Sequence, residues 1–276
     1  MYNYMLTLQK EKDMAKLTIS QEKAYRKDFW KTAKDVTNNT FGDPSPAPTF
    51  NKDTANSHYK NKYEKEVPIN FDNLAWFPNV EAPTVNYNMI PYTPRDVKQA
   101  LYKKCSCSAP GEDDIVYAYL KRMPYLHKVL ATAFTGIRDK GEAPKSWARS
   151  RIILIKKDKD GSSEDPANFR MISLTLNIGK LYHTLEAQRM INFMVTNGYL
   201  DPVAQKAYIE GINGCVEHVC VVQEIMQHAR LNHKTVNITW FDLAEAFGSI
   251  SHRLNPIVMK HYNIPTKVIN YTSNFT

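Results

Sequence analysis

Residues 236–247 (VNITWFDLAEAF) constrain the fold more than any other stretch of this chain. Val236, Ile238, Thr239, Trp240 and Phe241 are β-branched or aromatic and read as a strand, and the run ends in a carboxylate, Asp242, with an aromatic ring, Phe247, five residues later. A strand needs neighbours, so this segment commits a largely helical sequence to carrying a sheet.

The 276 residues are 43% hydrophobic, enough for a substantial core. Lysine and arginine number 36 against 28 acidic residues, a net charge of +8 that favours polyanionic partners without naming one. Apolar runs such as residues 152–155 (IILI) fall far short of the roughly 18 residues that a membrane span requires, and no secretory leader opens the sequence. An intracellular, reducing compartment is expected, with nucleus and cytoplasm both compatible and no membrane partner. Cys105, Cys107, Cys215 and Cys220 lack the spacing of a zinc ribbon and read as reduced and mostly buried thiols.

The sequence divides into three parts. Residues 1–90 are polar and proline-rich with weak apolar periodicity and read as an extended, partly disordered leader with one short helix around residues 21–36. Residues 91–235 begin with a capping box, in which Thr93 caps, Pro94 takes the first helical position and Asp96 reaches back, and a helix follows to about Lys104. Leu126, Val129, Leu130, Ala133, Phe134 and Ile137 then recur at helical spacing up to Gly141. Residues 151–156 (RIILIK) and 169–174 (FRMISL) flank a polar tip and predict a hairpin; helices from about 176 to 195 and from about 214 to 231 come next, before the strand at 236. Residues 236–276 form the third part. Helices and strands mix without βαβ alternation, which predicts an α+β fold.

A carboxylate at a strand end that faces a cleft can hold Mg²⁺, and Asp242 suits that role, although on spacing alone it serves as readily as a cap or turn residue. Phe247 suits either a core position or a platform beneath a nucleotide sugar. Lys156, Lys157 and Arg170 on the hairpin could grip a triphosphate or form a solvated charged loop. Asp158-x-Asp160-Gly161 is no calcium loop, because Lys156 and Phe169 stand where ligands are needed. Ser251 and His252 lack the surroundings of a hydrolase site, and His252 reads as a helix start after a Ser251 cap.

Taken in order, residues 109–115 (APGEDDI), 141–147 (GEAPKSW), 152–156 (IILIK) and 168–174 (NFRMISL), Lys180-Leu181, Arg189, residues 201–205 (DPVAQ) and 241–247 (FDLAEAF) closely resemble the reverse transcriptase of non-LTR (LINE-type) retrotransposons. The likeness covers about 90–276, and residues 48–50 (PTF) with Phe77-Pro78 resemble the connector that precedes such domains. The resemblance implies the fingers and part of the palm of a right-hand polymerase, with the palm incomplete and the thumb absent. It implies an RNA template, a DNA primer and a dNTP as partners, and two Mg²⁺ ions as cofactors. By that resemblance Asp242 is the first catalytic metal-binding aspartate, the Leu243 carbonyl an extra ligand and Phe247 the sugar gate. Lys156 and Arg170 contact the triphosphate, and Gln205 lies at the template and palm edge.

The sequence departs from the family pattern in three places. Asp114 stands for the usual glycine, Met171 for proline, and Ala207-Tyr208 for Gly-Phe, so a position that requires positive φ could be disturbed. The aromatic-x-Asp-Asp motif that supplies the further carboxylates is missing, so the expectation is a truncated polymerase that does not polymerise alone. The rival expectation is a nucleic-acid-binding or interaction remnant without catalysis.

Overall fold

The computed structural model describes residues 47–64, 77–106, 108–157, 161–209, 211–243, 246 and 250–275. The helix expected at residues 21–36 and the side chain of Phe247 lie outside them. Helices α1 (Lys52–Tyr63), α2 (Pro94–Tyr102), α3 (Tyr117–Arg122) and α4 (Tyr125–Lys140) precede strands β1 (Ser150–Lys156) and β2 (Phe169–Thr175), and α5 (Asn177–Thr196), α6 (Gly214–Leu231), α7 (Leu254–His261) and α8 (Thr266–Phe275) follow. The fold is α+β with a small two-stranded sheet.

The chain forms two compact units, one from Met1–Ala55 with Leu154–Arg170 and one from Asn56–Ile153 with Met171–Thr276. In the first unit Phe50 meets Phe169 edge to face at 5.3 Å, and Thr49 N–H donates to the Ser163 carbonyl at 3.0 Å. Residues 48–50 are therefore tied to the hairpin tip.

The core of the second unit is built on α2, α4 and α5. The capping box forms as its residues dictate: Thr93 N–H donates to Asp96 Oδ2 at 2.8 Å, and Asp96 N–H donates to Thr93 Oγ at 3.2 Å. This sets α2 so that Val97 and Leu101 are fully buried against Phe134 of α4 and Leu181 and Tyr182 of α5. Helix α4 stops at Gly141, whose φ of +69° only glycine adopts without strain. The glycine also lets α8 come close: a Cβ there would stand 3.1 Å from the Lys267 carbonyl, and Asn274 Nδ2 donates to the Gly141 carbonyl at 3.0 Å. Through that contact α8 places Tyr271 in the main core and Val268 in a second cluster with Tyr87, Phe193 and Ile264.

The structure differs from expectation at residues 236–241, which form no strand. Every side chain from Leu231 to Leu243 is exposed, and among the described residues the sheet consists of β1 and β2 alone. Intrinsic strand preference spans only about 1 kcal/mol, comparable to the cost of fixing one residue's backbone, so without a paired neighbour the run stays irregular. Helix α6 has the expected bounds, yet only Ala229 of its residues is buried, and Cys215 and Cys220 on it, like Cys105, are exposed where buried thiols were expected.

Candidate functional site

Lys156 and Arg170 sit on neighbouring strands of the hairpin, in the first unit. The two seven-residue strands pair antiparallel, and the bond from Lys157 N–H to the Asn168 carbonyl (2.7 Å) continues the ladder towards the tip. This register sets Lys156 opposite Phe169 and Ile155 opposite Arg170. Side chains alternate along a strand, so the two cations leave opposite faces of the ribbon. Lys156 shares a face with buried Phe169, and its Nζ donates to Ser163 Oγ at 3.1 Å. Arg170 is exposed beside exposed Ile155. Lys157 closes the loop by donating to the Ala167 carbonyl at 2.7 Å.

The loop at residues 109–115 belongs to the second unit and is held from below. Gly111 lies against the backbone where β2 meets α5, so close that a Cβ would fall 2.8 Å from Leu176 N. Fully buried Asn177 donates to the Ile115 carbonyl at 2.8 Å, and Lys180 Nζ donates to the Ala109 carbonyl at 3.3 Å. Partial burial pulls the Lys180 pKa below its ordinary value. Asp114 has a φ of +53°, so the position where the family pattern has glycine does use the left-handed region. Aspartate tolerates that region better than most residues, and its carboxylate meets Arg151 Nη2 at 3.2 Å.

A buried carboxylate organises the segment that leads into α2. Glu186 on α5 is 5% exposed and accepts hydrogen bonds from Tyr87 Oη, at 2.6 Å, and from Tyr92 Oη. Burial, followed by the charge of Glu186, drives both phenol pKa values well above the usual 10.0. Arg189, one turn further along α5, donates to the Ile90 carbonyl at 2.7 Å and lies 3.9 Å above the Tyr92 ring; Arg138 on α4 donates to the Met89 and Ile90 carbonyls. Residues 87–92 are thus strapped down by three charged side chains. Sequence reasoning missed Glu186, Tyr87, Tyr92 and Arg138. The signal was an acidic residue inside the apolar stripe of α5, between Leu185 and Phe193.

Gln205 is exposed, and its N–H donates to the Asp201 carbonyl at 2.8 Å in a turn that Asp201 Oδ1 also ties by accepting from Val203 N–H. Asp242 is exposed, flanked by Phe241 at 94% and Leu243 at 77% exposure. No group of three or more metal-ligating side chains converges among the described residues, and beyond Glu245 the sequence contains no Asp or Glu. Asp242 is thus a single exposed carboxylate, and the described residues do not complete a two-ion site around it. No helix among the described residues is long and apolar enough to cross a membrane.

No family model matches the chain. Over 177 residues, 64% of its length, it is 27% identical to the Retrovirus-related Pol polyprotein from type-1 retrotransposable element R2 of Popillia japonica. Over 164 residues, 59% of its length, it is 30% identical to the Probable RNA-directed DNA polymerase from transposon X-element of Drosophila melanogaster. The chain is a homologue of non-LTR reverse transcriptases. The R2 polyprotein of Nasonia vitripennis aligns over a similar span, with 26% identity across 167 residues. The aligned stretch is 23%, 18% and 15% of these three relatives, so this non-LTR reverse-transcriptase homologue spans less than a quarter of their length.

Proposed function

We propose that the chain is the fingers and early palm of an RNA-directed DNA polymerase, which adds a nucleotide from a dNTP to a DNA primer on an RNA template. The observation that supports this most is the kinship with the R2 and X-element proteins, together with the unbroken order of the quoted motifs. Residues 1–90 are then a connector, 91–235 the fingers and early palm with the basic hairpin, and 236–276 the start of the palm.

In this reading Arg170, exposed on the open face of the hairpin, meets the triphosphate first, since guanidinium pairs with phosphate oxygens bidentately. Lys156 joins only by leaving Ser163 and reaching round the strand edge. Gln205 contacts the template side. Asp242 and the Leu243 carbonyl contribute to a Mg²⁺ site, and Phe247 screens the sugar. Relatives of this class imply a divalent metal requirement, and Asp242 supplies one donor group towards it. The remaining carboxylates must come from outside the described arrangement, so the 276 residues alone are expected to bind nucleotide without extending a primer.

Equilibrium binding of a dNTP with Mg²⁺ present tests this. Arg170→Ala is expected to weaken binding by about tenfold, the worth of one charge-assisted hydrogen bond, and Lys156→Ala by less. Asp242→Ala is expected to remove the dependence on Mg²⁺. Absence of dNTP binding, or binding indifferent to all three changes, contradicts the reading, and primer extension by the chain alone contradicts the expected inactivity.

A further inference from the structure

We propose that residues 234–242 pair antiparallel with the same residues of a second copy of this chain, giving a two-fold dimer joined by a two-stranded ribbon beside α6. The inference stands apart from the polymerase reading.

Helix α6 is closed by His233, whose φ is +52°, and by Lys234 N–H, which donates to the Ala229 carbonyl at 2.8 Å. The chain thereby turns back beside α6, and Val236 and Ile238 join Met226 and Leu231 in lining an open groove of about 720 Å³. Among the described residues, the backbone groups of residues 236–242 bond to no other backbone. A strand-forming run with open N–H and carbonyl groups is a template for another strand. Two cations, Arg230 and Lys234, line the groove without a carboxylate, and neither Lys234 nor Asp242 has an ion-pair partner among the described residues.

The sequence of the run selects its own copy as the partner. Side chains alternate along a strand, so Lys234, Val236, Ile238, Trp240 and Asp242 share one face once the run is extended. A two-fold axis at Ile238 sets residues equally far from it opposite each other. Val236 then meets the partner's Trp240, Ile238 meets its own copy, and Lys234 meets the partner's Asp242 at both ends. The paired face is apolar in the middle and closed by two ion pairs. Sliding one strand by two residues sets Val236 against Asp242, or Lys234 against Trp240, and leaves no ion pair. Trp240 is 78% exposed in the single chain; across from Val236 it reaches the apolar lining that Met226 and Leu231 provide. An apolar helix would cover the same side chains but leave the backbone groups and both charges unpaired.

Sedimentation velocity of the whole chain over a range of concentrations tests this. The mass should rise from one chain to two and stop there, while the amides of residues 236–241, open in dilute chain, gain hydrogen-exchange protection in step. Lys234→Asp and Asp242→Lys each set like charges opposite one another at both ends of the ribbon, and each should weaken the dimer about tenfold. An equal mixture of these two variants should associate again, because every charge then meets its opposite. Ile238→Lys puts two ammonium groups at the axis and should weaken the dimer as much, with the thermal midpoint of dilute chain unchanged, since Ile238 belongs to neither core cluster. A chain that stays single at every concentration overturns the proposal. So does growth beyond two chains, association that all three substitutions leave unchanged, or a mixture that fails to restore the dimer. The effect of Arg170→Ala on dNTP binding is read separately, so the polymerase reading stands or falls on its own.

Discussion

At the scale of single residues, several positions that carry the family likeness build scaffold. Gly111 allows a close backbone approach, Lys180 pins the loop at residues 109–115, Trp147 is buried against Phe134 and Tyr182, and Arg189 straps residues 88–90. Their spacing in the sequence was legible; their roles were not, because each partner lies far away along the chain. Glu186 shows what such a contact is worth. Glu186→Ala leaves two buried phenols without an acceptor and should destabilise the fold by about 2–4 kcal/mol, with Glu186→Gln milder because it keeps one acceptor. Urea unfolding checks this, and a loss below about 1 kcal/mol counts against the strap. The same residues set the pH response. Because Tyr87 and Tyr92 titrate above their ordinary 10.0 in the folded state, their contribution is complete below pH 10 and declines as pH rises beyond it. Tyr117, pushed up to about 12 by burial, acts in the same direction between 10 and 12. His183, which is held below 6.5 by burial and whose Nε2 lies 2.6 Å from Tyr271 Oη, contributes above pH 6.5 and loses that contribution as pH falls further. A thermal midpoint measured against pH should fall at both ends, and His183→Gln should soften the acid limb; an unchanged acid limb contradicts the assignment.

At the scale of elements, local signals were read correctly where local chemistry decides. The capping box at Thr93, the glycine stop at Gly141 and the two strands around the polar tip all appear where the sequence puts them. Helix α7 was foreseen only as a start at His252 and begins two residues later, at Leu254, without a side-chain cap; α8 escaped because the turn before it uses Asn263 at a φ of +58° in place of a glycine, so no familiar stop signal separates the two. The run at residues 236–241 failed for the opposite reason: its local preference is plain, but a strand is a property of a sheet. Asp242, expected at a strand end facing a cleft, consequently stands on open backbone. Amide hydrogen exchange should find residues 235–243 unprotected in the chain alone, while Val97, Leu101 and Phe134 exchange slowly in the core. Strong protection at Ile238 or Trp240 would mean that the run is paired after all.

At the scale of the molecule, exposure and kinship tell one story. Helix α6 presents Val216, Val219, Ile225, Met226 and Leu231 to solvent, and Trp240 and Phe241 add to that open apolar surface. Relatives in which the aligned stretch is 15% to 23% of the whole have ample further chain with which to cover such a face. The formal charge of +8 and the exposed Arg170 suit the polyanionic partner that the proposed function requires. The most direct measurement is the affinity of the chain for a DNA primer annealed to an RNA template, followed across a range of KCl concentrations. Measurable binding is expected at low salt, weakening with a log–log slope of about −0.9 for each duplex phosphate neutralised, several in all, with a shallower slope in Arg170→Ala. Failure to bind primer–template at low salt, or an affinity that salt does not change, would contradict it.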